Sequence, residues 1–170
     1  MPELFACLDA AYSDSTASVA CALFAAWDAA VPLRVETVRQ GAAPDYQPGA
    51  FYKRELPLLL AILGQLERLP DIVIVDGYVW LAGARRPGLG AMLHRALDEQ
   101  ARVVGVAKTR FVGATACVPV IRGTSRNPLY VSSAGIDAAA AADGVRAMHG
   151  GHRIPTLLRL VDHAARAALA

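Results

Sequence analysis

Asp71-Ile72-Val73-Ile74-Val75-Asp76-Gly77 is an unbroken β-branched run bounded by carboxylates and closed by a glycine. A strand with one face in water alternates polar and apolar residues, so a continuous run reads as a strand buried on both faces. Its last carboxylate is delivered to the edge of the sheet. Val103-Val104-Gly105-Val106-Ala107 reads as a second buried strand, and Gly88–Gln100 between the two as an amphipathic helix. Strand, helix, strand is the repeating unit of an α/β sheet.

Upstream of this unit, Leu4–Tyr12, Ala17–Trp27 and Leu33–Arg39 are short apolar runs separated by turn-forming residues. They read as an antiparallel meander of three strands. Gly41–Gly49 carries two prolines and reads as a loop. Phe51–Arg68 shows helical spacing, with Pro57 expected to start its regular part. Downstream, Leu129–Ser133 reads as a strand, Asp137–Met148 as an alanine-rich helix and Ile154–Leu169 as a closing helix. No repeat or low-complexity linker divides the chain, so residues 1–170 are expected to form a single α/β domain with a mixed sheet.

The chain has 170 residues, enough for a core that removes roughly 70% of the unfolded surface from water. An apolar content of 55% and a mean hydropathy of +0.35 raise the question of a membrane. Much of that content is alanine, and the apolar stretch from Ala17 to Trp27 stops at Asp28, short of the roughly 18 residues a spanning helix needs. Met1-Pro2-Glu3-Leu4-Phe5 lacks the basic flank of a secretory signal, so a cytoplasmic protein without membrane contacts is expected. Cys7, Cys21 and Cys117 form no metal-ligand pair and read as free thiols in a reducing compartment. A net charge of +2 with a pI near 8.6 permits nucleic-acid binding without arguing for it. Fifteen arginines stand against two lysines, Lys53 and Lys108, which singles out each position where arginine was not used.

Three carboxylates stand out by position. Asp9 lies in the first strand, Glu55 at the start of the first long helix, and Asp76 at the end of the buried fourth strand. With the first and fourth strands as neighbours, Asp9 and Asp76 lie side by side and Glu55 reaches in from the helix. Acids that share a site repel unless a cation neutralises them, and hard oxygen ligands favour Mg²⁺ or Mn²⁺. A metal in such a cluster suits phosphoryl transfer. Taken singly, an Asp at a strand end is also an ordinary cap, and a Glu in a first helical turn is also an ordinary solvated residue.

Further motifs join these residues. Tyr46-Gln47-Pro48-Gly49 precedes an aromatic run ending in Arg54-Glu55. Asp76-Gly77 is followed by Arg85-Arg86-Pro87-Gly88, then by Gly105-Val106-Ala107-Lys108, Pro128-Leu129-Tyr130-Val131-Ser132 and Gly151-His152-Arg153-Ile154. In this order and spacing, over about Ala6 to Ala165, the chain resembles the endonuclease V family. The resemblance implies a ribonuclease H-like fold, with a mixed five-stranded central sheet flanked by helices. It implies a monomeric, metal-dependent endonuclease that cuts on the 3′ side of a deaminated base, inosine or deoxyinosine, in DNA or RNA. Asp9, Glu55 and Asp76 would ligate Mg²⁺, or Mn²⁺. Lys108 would sit near the scissile phosphate and His152 near the metal. Tyr46 and Pro48 would belong to a wedge that fills the gap left by an extruded base. Gly77, Gly88 and Gly105 would build the base pocket from close backbone, and Arg85 and Arg86 would contact phosphates.

The chain departs from the family pattern in places. Val79 stands where a pocket glycine is expected, Tyr78 and Trp80 add bulk, and the family's histidine after Asp-Gly is missing. Gln47 replaces an aliphatic wedge residue, and residues 134–150 read as an alanine-rich insertion. Two alternatives stay open on these grounds: a structure-selective nuclease with a reshaped pocket, and a non-catalytic nucleic-acid-binding homologue.

Overall fold

In a computed structural model, which describes residues 1–41, 45, 48, 52–82 and 86–170, the elements follow in this order. They are β1 (Phe5–Tyr12), β2 (Thr16–Phe24), β3 (Arg34–Gly41), α1 (Tyr52–Leu63), β4 (Ile72–Asp76), β5 (Trp80–Ala82), β6 (Arg86–Pro87), α2 (Leu89–Ala96), β7 (Arg102–Ala107), β8 (Val118–Val120), β9 (Leu129–Ala134), α3 (Ala138–Ala147) and α4 (Thr156–Ala167).

The buried run is β4, in the middle of a sheet ordered β3-β2-β1-β4-β7-β9-β8. β1, β4 and β7 are parallel, and the outer strands pair antiparallel. Alternation along each central strand sends side chains to two cores. Phe5, Cys7, Ile72, Ile74, Val104 and Val106 face the layer of α3 and α4. Ala6, Leu8, Val73, Val75 and Val103 face α1 and α2. Two covered faces are why β4 carries no polar residue before its end.

The main sheet has seven strands rather than the five expected, and a separate β5–β6 hairpin stands beside it. β8 is three residues long and holds the sheet edge by pairing with β9, too short a run to register as a pattern. α1 begins at Tyr52, and Pro57 lies inside it rather than at its start. Pro57 is on the exposed side of the helix, where its ring meets solvent rather than the core. Residues 134–150, expected as an alanine-rich insertion, are built into the fold. They end β9 and form α3, whose Ala141, Ala142 and Val145, with Met148 just past its end, complete one core. Among the described residues no helix is long and apolar enough to cross a membrane.

Candidate functional site

The register Leu8↔Val75 makes Asp9 and Asp76 the next residues on neighbouring parallel strands. Asp9 follows Cys7, Asp76 follows Ile74 and Lys108 follows Val106 on the same face, so pleating alone brings the three to one edge. They share a slot of about 20 Å³ with Ile154, Leu158 and Val161 of the α4 region. That is room for a single water or ion. The Lys108 Nζ stands 3.3 Å from Asp76 Oδ2, and the Ala10 N–H donates to Asp9 Oδ1 at 2.9 Å.

Glu55 arrives from the other face. The Arg54 guanidinium lies 3.8 Å over the Tyr12 ring at the end of β1, which pins the first turns of α1 against the strand that carries Asp9. Glu55 and Asp76 line one cavity of about 350 Å³, with Tyr52, Gly77, Tyr78, Leu81, Arg86, Gly88, Leu89 and Phe111.

The electrostatics agree with one shared site. Burial pushes the Asp9 carboxyl up to about 7; the Asp76 charge and, more weakly, Asp162 of α4 add to this, while Lys108 and the Ala10 N–H oppose it. Burial likewise pushes Glu55 up to about 7, with Asp76 and Asp9 adding and Arg54 opposing. Two partly buried acids that hold their protons to neutrality mark a place short of positive charge. Among the described residues no three His, Cys, Asp or Glu side chains stand close enough to enclose an ion. The carboxylates turn instead to protein donors, Asp76 to Lys108 and Asp9 to its neighbour's N–H. The donor set nonetheless fits a hard divalent cation: it offers carboxylate oxygens only, with the single Lys108 ammonium beside Asp76.

The glycines divide by role. Gly77 has φ +115, which favours glycine, and its N–H bonds Val106 O at 3.1 Å. A Cβ on Gly88 would lie 2.5 Å from Tyr78 O, and one on Gly105 would lie 2.5 Å from Gly77 O and 3.0 Å from Val79 N. Gly77 and Gly88 line the larger cavity; Gly105 does not, and supports Gly77 from behind.

Val79 does not enter the cavity. It is fully buried in the α1–α2 core, where its side chain fills the space in front of Gly90. Its N–H donates to Ser132 Oγ at 2.9 Å, and its carbonyl accepts from Gly88 N–H at 2.8 Å. The Tyr78 hydroxyl donates to Thr109 O at 2.7 Å and accepts from Phe111 N–H at 3.0 Å. That one phenol ties the segment carrying Lys108 to the strand end carrying Asp76.

Of the remaining expected residues, Arg86 lines the larger cavity and Pro48 is exposed in a turn. Tyr46 and Arg85 lie outside the described residues. His152 lines a different cleft from the slot of Asp9 and Asp76. Arg122, buried behind it, gathers the carbonyls of Met148, Gly150, His152 and Arg153, which fixes that segment over a separate cleft with Thr124, Ser125 and Arg159. Asp162 was missed by sequence reasoning, although it falls one turn after Leu158 on the core-facing stripe of α4, the spacing that carries it toward Asp9.

The model of the family described as Endonuclease V matches residues 1–163. The endonuclease V of Rhodospirillum centenum is 36% identical over 157 residues, covering 79% of this chain and 64% of that protein. The chain spans about half to two thirds of the length of the first curated relatives it matches. The endonuclease V structure from Streptomyces avermitilis superposes with a TM-score of 0.77 at 27% identity, covering 98% of this chain and 81% of that one. Ciona intestinalis endonuclease V, solved in complex with a 24mer DNA containing an inosine followed by a ribo-adenosine, superposes with a TM-score of 0.73 at 18% identity, covering 98% and 85%. These likenesses bear out the ribonuclease H-like fold that the motifs imply.

Proposed function

The chain belongs to the endonuclease V family, and from that premise we propose that it hydrolyses a phosphodiester on the 3′ side of a deaminated base, inosine or deoxyinosine, in DNA or RNA. The observation that carries this reading is the meeting of Asp9 and Asp76 at adjacent strand ends, with Glu55 sharing Asp76's cavity. Asp9, Glu55 and Asp76 would hold Mg²⁺ or Mn²⁺; Asp162, which accepts from Arg166 Nε at 3.0 Å, adds weakly to the negative field at Asp9. A divalent cation bound there supplies the positive charge that favours attack of water on the phosphodiester.

The chain's own groups account for the rest. Lys108 offers three donors beside Asp76 and is placed to hold a non-bridging phosphate oxygen. The cavity from Tyr52 to Phe111 receives the extruded base, with backbone of Gly77 and Gly88 along its wall. Arg86 at its rim contacts the backbone of the strand. Support for retained base recognition comes from Val79, whose side chain leaves the cavity free. The Ciona relative, with its inosine-containing DNA, supports the same substrate class.

Purified protein is incubated with matched oligonucleotides, with and without one inosine, in Mg²⁺ or Mn²⁺, beside Asp76→Asn. Inosine-dependent, metal-dependent cutting lost in the variant is expected. Cutting indifferent to inosine would transfer the reading to a structure-selective nuclease; binding without turnover would leave a non-catalytic homologue.

A further inference from the structure

The cleft that takes His152 is built for an anion. Its volume is about 370 Å³, and its polar lining is Thr124, Ser125, His152, Arg153 and Arg159, with no carboxylate. Ile154 lines both this cleft and the Asp9–Asp76–Lys108 slot, whereas the base-sized cavity shares no residue with it. The three sites therefore follow one another, with the slot in the middle.

The cleft is fixed to the catalytic edge. Arg122, only 5% exposed, donates to His152 O at 2.7 Å and Gly150 O at 3.0 Å, and also to the carbonyl of Met148. Gly123 packs so closely on Gly151 that a Cβ would have no room. Arg153 donates to Asn127 O and Pro128 O, both at 3.0 Å, and to Lys108 O, which couples the floor of the cleft to the lysine's own backbone. Among the described residues none of Arg122, Arg126, Arg153 and Arg159 has a carboxylate partner, although six other cations do. Arg122 and Arg153 spend their donors on carbonyls, so their charges stay uncompensated. The charged residues of its lining are therefore all cationic, and exposed Arg159 has no carboxylate among the described residues to answer it.

We propose that this cleft is a phosphate subsite that holds the nucleic-acid backbone on the 3′ side of the scissile bond. The assignment rests on the nuclease reading above. With the base in the cavity lined by Glu55 and Asp76 and the cut on its 3′ side, the strand that crosses the slot continues past Ile154 into the cleft. Arg159 and Arg153 give the charge, and Thr124, Ser125 and His152 give orienting donors. The subsite reads no base, so it contributes affinity and register without specificity.

The test is fluorescence anisotropy on the full chain, with Ca²⁺ in place of Mg²⁺ so that bound oligonucleotide accumulates. Single-stranded probes carry one inosine, a fixed 5′ arm, and a 3′ arm that stops at the scissile linkage or extends several nucleotides beyond it. The wild type is expected to bind the extended arm about tenfold more tightly. Arg159→Gln and Arg159→Ala, at an exposed position of the cleft's lining, are each expected to reduce that advantage severalfold. Each should also lower the slope of log affinity against log salt by about 0.7, the value for one phosphate contact on a single strand. Preference for inosine over guanosine stays unchanged. Variants with the wild-type slope and arm advantage overturn the subsite, and leave the nuclease reading standing if inosine-dependent cutting in Mg²⁺ persists. Arm-dependent binding that the variants weaken, without any cutting, keeps the subsite and overturns the nuclease. A wild type that binds no probe overturns both.

Discussion

Asp9→Asn is expected to stabilise the metal-free protein at alkaline pH while abolishing cleavage. Holding the Asp9 carboxyl at about 7 against an ordinary 3.8 corresponds to about 4 kcal/mol against its ionised form, at about 1.4 kcal/mol per tenfold change in proton affinity. Glu55, at about 7 against 4.5, carries about 3 kcal/mol, part of it from the Asp9 charge itself. Both acids bind protons more tightly folded than unfolded. The stability they contribute is therefore fully present below about pH 4 and is lost as pH rises through about 7. Asparagine keeps an oxygen for the Ala10 N–H and removes the charge. After discounting for solvent screening and relaxation, a gain of roughly 1–3 kcal/mol is expected above pH 8, or about 2–4 °C in Tm per kcal/mol for a chain of this size. The assay is thermal unfolding in EDTA from pH 5 to 9. The wild type should lose stability across neutrality and the variant should lose less. Adding Mg²⁺ at pH 8.5 should raise the wild-type Tm by mass action and leave the variant nearly unmoved. A variant less stable than wild type at pH 8.5, or one with the full wild-type decline, would refute the reasoning.

Two other substitutions probe the frame around the carboxylates. Tyr78→Phe keeps the ring but removes the bonds to Thr109 O and Phe111 N–H, each worth about 1 kcal/mol; cleavage should fall severalfold with a modest drop in Tm, and equal turnover would show that the phenol does not position Lys108. Gly105→Ala drives a Cβ toward the backbone of Gly77 and Val79, so a loss of roughly 1–3 kcal/mol in urea unfolding is expected, whereas Gly41→Ala, with nothing within 4 Å, should not show that clash.

The parts of this molecule that were legible in the sequence are those where burial dictates residue type directly. β4 and β7 read as central strands because both faces are covered, and the end of such a strand is the one place where Asp76 can reach solvent. The pairing of Asp9 with Asp76 then followed from strand order. What stayed hidden depends on distant partners. β5 and β6 total five residues, and the turn before them is set by Val79 N–H on Ser132 Oγ and Trp80 Nε1 on Ser133 O. Neither bond has a local signature. The placement of His152 was beyond reach for the same reason: Arg122, thirty positions earlier, decides where the residue lies.

Val79 shows how a departure at one position can be absorbed at another. A side chain where a pocket glycine is expected reads, in sequence, as a filled pocket. Only the backbone of Val79 faces the turn, through its N–H to Ser132 and its carbonyl to Gly88. Its side chain leaves toward α2, where a Cβ on Gly90 would come within 2.6 Å of Val79 Cγ2. The valine therefore depends on a glycine in the first turn of α2. The pair trades places: the bare backbone that one position gives up, the other supplies. The cavity wall keeps its close approach of main chain because the bulk was moved behind it, into the core with Leu59 and Leu93. A larger residue at position 90 would push Val79 forward, and its cost would appear in the cavity before it appeared in the fold.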